Sequence, residues 1–167
     1  GLDRSIDALH TLCEQGVNGV LLVVGDDKRE QFVRQAQKLG LQEHVRFLGG
    51  RDDVPNLLQA ADVLLHPAYK ENTGNALLEA MIAGLPVVAS DVCGYAHYVR
   101  EAQMGTVIAS PFNADAYVAA INEALVISGE QWHSKGERFA ATSDVYSRPQ
   151  VAVDIMEKLV AEKGVSQ

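Results

Sequence analysis

The chain has 167 residues, of which 47% are hydrophobic, enough to fill the core of one ordinary domain without disulfides or metal. Lys and Arg number 14 against 22 Asp and Glu, a formal net charge of -8, and no basic run is present to track nucleic acid or an anionic membrane surface. The only cysteines, Cys13 and Cys93, have neither the number nor the spacing of a disulfide framework or zinc site, and no apolar run nears the ~20 residues that span a bilayer, so a cytoplasmic setting is expected.

Short β-branched runs alternate with amphipathic helical patterns, the signature of successive βαβ units around a mostly parallel sheet. In chain order the pattern predicts a helix over 3–14, a strand over 20–24, a helix over 28–39 and a strand over 44–48. A short helical turn near 55–60 follows, then a strand over 62–66 and a helix over 75–83 stopped by Gly84 and Pro86. Next come a strand over 85–89, a helix over 95–102, a strand over 105–108 and helices over 113–127 and 130–141. Residues 146–149 read as a linker and 151–160 as one more helix, so the organisation expected is an α/β, Rossmann-like three-layer domain over 1–145 with a linker and C-terminal helix over 146–167. The chain opens on Gly1, already inside a helical pattern, so a piece of a longer polypeptide is expected.

Ligands of open α/β sheets bind beyond the C-terminal ends of the strands. The segments there are Gly25-Asp26-Asp27, Gly49-Gly50-Arg51-Asp52, Pro67-Ala68-Tyr69-Lys70-Glu71 and Ser90-Asp91-Val92-Cys93-Gly94. The third leads into Glu71-Asn72-Thr73-Gly74-Asn75-Ala76-Leu77-Leu78-Glu79, with two carboxylates eight positions apart. Leu77, Leu78, Met81 and Ile82 mark the buried stripe of the helix, which lets Glu71 and Glu79 face one crevice. Between them, Thr73-Gly74-Asn75 puts backbone N–H groups at a helix start, where the helix dipole favours a phosphate. Acids on either side of a phosphate make electrostatic sense when they accept hydrogen bonds from neutral hydroxyls, such as those of a sugar. Taken singly, each Glu reads better as a solvated surface acid.

The whole string from Glu71 to Pro86, a Glu, seven residues, Glu-Ala-Met, then Ala-Gly-Leu-Pro-Val-Val, resembles the sugar-nucleotide signature of the family 4 retaining glycosyltransferases. Val24-Gly25-Asp26, Phe47-Leu48-Gly49-Gly50-Arg51, Ala61 to Pro67 and Gly105-Thr106-Val107 fall in the order that family has. His66-Pro67-Ala68-Tyr69 and Val92 to Tyr98 are similar to the family's lipopolysaccharide-core glucosyltransferases. The resemblance implies the C-terminal, donor-binding half of a GT-B fold. It implies that Glu71 holds sugar hydroxyls near the reacting carbon as the catalytic carboxylate. It further implies that the amides of Thr73, Gly74 and Asn75 hold sugar and diphosphate, that Glu79 takes the ribose hydroxyls, that Arg51 frames the uracil, and that Gly25 permits close approach. His66 ends its strand at the crevice, placed for the pyrophosphate or sugar and equally for a loop carbonyl.

The reaction implied is transfer of glucose from UDP-glucose, with retention, to a lipopolysaccharide inner-core heptose held by a further, N-terminal half. No Asp-x-Asp triplet occurs, so neither metal nor cofactor is expected. The family's basic loop lies immediately before the Gly-hydrophobic-Asp-Arg helix start, which here is Gly1-Leu2-Asp3-Arg4, so that loop and the central strand before it are expected to be missing. His97 reads as a packing residue or as lining the donor pocket, Cys93 and Trp132 as packing residues, and Asp26-Asp27 and Asp52-Asp53 as helix N-terminal charges. Two alternatives stand beside the transferase: a UDP-sugar epimerase of the same fold, and a nucleotide-binding regulatory module working through Asp26 or Asp91.

Overall fold

A computed structural model of the chain describes residues 1–25 and 29–143. The expected linker and C-terminal helix, and the acidic pair Asp26-Asp27, lie outside the described residues. In order the elements are α1 (Leu2–Glu14), β1 (Leu21–Val24), α2 (Glu30–Lys38), β2 (Val45–Gly49), α3 (Val54–Ala60), β3 (Leu64–His66), α4 (Asn75–Ile82), β4 (Val87–Ser90), α5 (Ala96–Glu101), β5 (Gly105–Ile108), α6 (Ala114–Val126) and α7 (Gly129–Thr142). Each expected strand is present and every pairing is parallel.

The strands form two sheets instead of one, β1 with β2 and β3-β4-β5 with β4 in the centre. Successive side chains of a strand point to opposite faces. In β1, Leu21 and Val23 pack against the smaller core of Ile6, Leu9, Ala36, Leu41 and Val45, while Leu22 and Val24 are left 40% and 41% exposed. By contrast β4 is buried at every residue, because helices cover both faces of the three-stranded sheet. Helix α1 joins the two halves: Ala8 and Leu12 enter the larger core, whereas Ile6 and Leu9 enter the smaller one.

Local chemistry sets the helix ends. The side chain of Asn113 accepts from the amide of Ala116 at 2.8 Å to start α6, and Ser128 starts α7 in the same way. Helix α4 begins after Gly74, whose φ of 80° is in the left-handed region, and ends before Gly84, φ 78°. A Cβ on Gly84 would lie 2.8 Å from His133 Nδ1, and one on Gly136 would lie 2.6 Å from the Met81 carbonyl oxygen, so α4 and α7 approach closely through these two glycines. That contact shifts the buried stripe of α4 from the expected one: Leu77, Ala80 and Met81 are fully enclosed, and Leu78 and Ile82 are only half-buried.

Candidate functional site

Strand β3 ends at His66, and the chain then crosses eight residues to reach α4. Pro67 is buried, and the Ser90 hydroxyl at the end of β4 donates to the carbonyl of Ala68 at 2.8 Å, so the loop is anchored where it leaves the sheet. Glu71 is half-buried. One carboxylate oxygen accepts from the amide of Asn72 at 2.8 Å, and the other lies 3.6 Å from His66 Nε2. The His66 Nε2 atom is enclosed and has no hydrogen-bond partner among the described residues. Burial pushes this imidazole below its ordinary value, with the Glu71 charge pulling the other way. A neutral ring with one unfilled nitrogen beside a carboxylate can hydrogen-bond a polar ligand group.

Beyond Glu71 the backbone is held by the loop after β4. The amide of Tyr95 donates to the carbonyl of Thr73 at 2.9 Å, and a Cβ on Gly94 would run into the carbonyl oxygen of Asn72. Gly74 is buried, with Glu71 Cγ and Cys93 Cβ each 3.6 Å from where a Cβ would stand. The N-cap of α4 is Gly74, which has no side chain to take up the helix's first amides, so these carry its positive end without an N-cap hydrogen bond. His66, Glu71, Thr73, Gly74 and Asn75 are thus brought to one place by the β3–α4 connection. Glu79 stands exposed on the second turn of α4, across from the Leu77, Ala80 and Met81 face.

The residues assigned to the nucleotide base lie on the other sheet. Gly25, with φ 134°, donates its amide to the carbonyl of Gly49 at 2.9 Å, placing the ends of β1 and β2 side by side. Arg51 is exposed and its guanidinium forks onto Asp53, with Nε and Nη2 donating at 2.8 and 2.7 Å. Asp53 stands at the N-cap of α3, at the helix N-terminus where the sequence reading put it, and gives its carboxylate to Arg51.

Three other side chains behave as packing groups. His97 contacts the Gly94 carbonyl at 2.9 Å and stacks on Tyr98, burial raises the Cys93 thiol, and Trp132 donates to the Ala124 carbonyl at 3.1 Å. Asp91, a candidate of the regulatory alternative, accepts from the Ser110 hydroxyl at 2.6 Å and the Ser110 amide at 2.8 Å, which occupies both oxygens and holds its pKa below the usual carboxylate range. A cavity of about 270 Å³ opens at the other end of the larger sheet, near Asp62, Pro86 and Trp132, away from these groups. Sequence reasoning gave no role to Arg4, Ser90 or Gly94; each acts through a contact with a loop distant in the chain, for which local sequence carries no signal.

Parallel βα units with a glycine-capped helix start beyond β3 define a Rossmann-like domain of the GT-B transferase class. The chain belongs to the family of glycosyl transferases group 1, whose profile matches residues 1–138. It is 48% identical over 159 residues to the lipopolysaccharide glucosyltransferase WaaG of Escherichia coli (strain K12), covering 93% of this chain and 42% of that protein. The crystal structure of WaaG, a glycosyltransferase involved in lipopolysaccharide biosynthesis, superposes with a TM-score of 0.86 at 48% identity, over 93% of this chain and 43% of that one. Anabaena Alr3699/HepE in complex with UDP superposes with a TM-score of 0.71 at 27% identity, over 91% of this chain and 44% of that one. The chain therefore spans less than half the length of these relatives. Among the described residues no helix is long and apolar enough to cross a membrane.

Proposed function

We propose that the chain is the donor-binding part of a retaining glycosyltransferase that moves glucose from UDP-glucose to an inner-core heptose of lipopolysaccharide, at the cytoplasmic side of the inner membrane. The observation that carries this reading is the uncapped start of α4 directly after the half-buried carboxylate of Glu71. In it, the amides of Thr73, Gly74 and Asn75 receive the diphosphate, Glu71 and His66 receive sugar hydroxyls, and Glu79 receives the ribose. Arg51 and Gly25 flank the uracil, and a second half of the enzyme presents the acceptor. The chemical task of these groups is to offset charge growing on the departing diphosphate, where fixed donors are worth most. WaaG, similar over 93% of this chain, supports the sugar and the acceptor class, and HepE, described as a UDP complex, supports the base.

The same reading assigns residues 1–145 to the donor domain and 146–167 to a linker and helix, and places one further parallel strand between β1 and β3. Leu22 and Val24, exposed on a strand with a single hydrogen-bonded neighbour among the described residues, support that strand. The 167-residue chain alone is expected to turn over no donor and to melt at a lower temperature than the intact polypeptide. Transfer assays on the intact polypeptide with UDP-glucose and competing nucleotide sugars test the assignment. Glu71→Ala should abolish most turnover and Glu79→Ala should weaken UDP binding; if both variants keep native donor affinity and turnover, the site lies elsewhere.

A further inference from the structure

A basic side chain at the start of α1, near the loop that follows β3, is a natural candidate to meet an anionic ligand, and Arg4 does something else. Its Nη1 donates to two successive loop carbonyls, Pro67 at 3.1 Å and Ala68 at 3.2 Å. Its guanidinium carbon lies 3.6 Å from the centre of the Tyr69 ring and 4.0 Å from that of Phe112. Tyr69 is itself tied back to α1, its hydroxyl donating to Asp3 Oδ2 at 2.5 Å. The carbonyl of Ala68 accepts a second bond, from Ser90 at the end of β4, and the loop carrying Phe112 is joined to the β4 end through Asp91 and Ser110. Three segments far apart in the chain thus converge on residues 67–69, and a planar cation is at their centre.

We propose that Arg4 is a positioning residue for Glu71: by clamping the Pro67-Ala68-Tyr69 turn it sets where the carboxylate two residues beyond Tyr69 stands relative to His66 and the start of α4. This rests on the donor-binding reading of Glu71. The job needs arginine. Only a flat, delocalised guanidinium lies against two rings while one of its nitrogens bonds in plane to carbonyl oxygens, whereas an ammonium is a compact, strongly hydrated point charge. Loop anchors of this kind matter because a misplacement of about 1 Å in a catalytic group costs up to roughly 100-fold in rate. Binding of UDP is assigned to the Thr73-Gly74 backbone, α4 and the other sheet, and Asn72-Thr73 has its own anchor in the Tyr95 amide and the close approach of Gly94, so it does not pass through the clamp.

The test is a mutant cycle in the intact polypeptide with Arg4→Lys, Glu71→Gln and the double variant, read by UDP-glucose turnover and by affinity for free UDP. Arg4→Lys should lower kcat roughly 10- to 100-fold while UDP affinity is unchanged, and the double variant should be no slower than Glu71→Gln. Native turnover in Arg4→Lys, loss of UDP affinity in step with turnover, or effects that multiply in the double variant would overturn the role of Arg4. Native turnover in Glu71→Gln overturns the donor reading of that carboxylate and the clamp with it. Should Arg4→Lys fail to fold, Tyr69→Phe, which removes only the hydroxyl bond to Asp3, enters the same cycle and should show a smaller loss of the same pattern.

Discussion

Replacing Gly94 by alanine isolates the contact that holds the end of the β3–α4 loop. Gly94 has no left-handed φ, so alanine brings no backbone strain, and the effect comes from the added methyl alone. That methyl would run into the Asn72 carbonyl oxygen and stand 3.5 Å from the α-carbon of Thr73, against backbone that cannot rotate away. Forcing one methyl into packed structure costs about 1–3 kcal/mol, which in a domain of this size lowers Tm by roughly 2–12 °C. Part of the relief comes from separating the two loops, which lengthens the bond from the Tyr95 amide to Thr73. Losing one such bond, worth about 0.5–1.5 kcal/mol, corresponds to a roughly two- to tenfold weaker hold on a ligand that uses the same backbone. Differential scanning fluorimetry and isothermal titration of UDP-glucose read the two effects. The control is Gly129→Ala, at the first turn of α7, where a methyl meets nothing within 4 Å and should leave both unchanged or raise Tm slightly. A Gly94→Ala protein that melts with the native one and binds donor as tightly would refute the argument that this loop contact sets the site.

Other substitutions separate strain, packing and protonation. Gly74→Ala places an L side chain at φ 80°, 3.3 Å from Leu77 Cδ1, and should cost about 1–2 kcal/mol with a drop of donor affinity; an unchanged Tm contradicts it. Leu77→Ala, at a position with 0% exposure, should destabilise by about 2–5 kcal/mol in urea titrations while far-ultraviolet circular dichroism stays native at low denaturant. His66 is less basic in the fold than in the unfolded chain because of burial, so below pH ~6.5 the unfolded state takes up the proton first and stability falls with pH, whereas above it this group contributes no slope. His66→Gln should flatten urea-derived stability between pH 5 and 7 relative to the native chain, and an unaltered slope would show that another group is responsible.

Much of the architecture was legible because its signals are local. The apolar run before Ser90 reads as a strand covered on both faces, and β4 is buried at every residue; Gly84 and Pro86 read as a helix stop, and α4 ends at Ile82. Likewise, Glu71 and the Thr73-Gly74-Asn75 turn could be placed together because they are contiguous in sequence. What stayed hidden depends on contacts across the chain. The division into two sheets reflects which strands find partners, and nothing within Leu21–Val24 itself records an open edge, whose one signal in the sequence was the expectation of a missing central strand. Ala80 is more buried than Leu78 because α7 approaches α4 at Gly84 and Gly136, a tertiary fact that overrides side-chain size. The fork of Arg51 onto Asp53 and the grip of Arg4 on Pro67 and Ala68 are geometric choices that residue types alone leave open.

The most direct measurement is a crystal structure of the intact polypeptide with UDP-glucose. The account predicts diphosphate oxygens within hydrogen-bond distance of the backbone amides of Gly74 and Asn75, and a glucose hydroxyl on the carboxylate of Glu71. A nucleotide sugar bound with its diphosphate away from the start of α4, and with Glu71 turned to solvent, would contradict it.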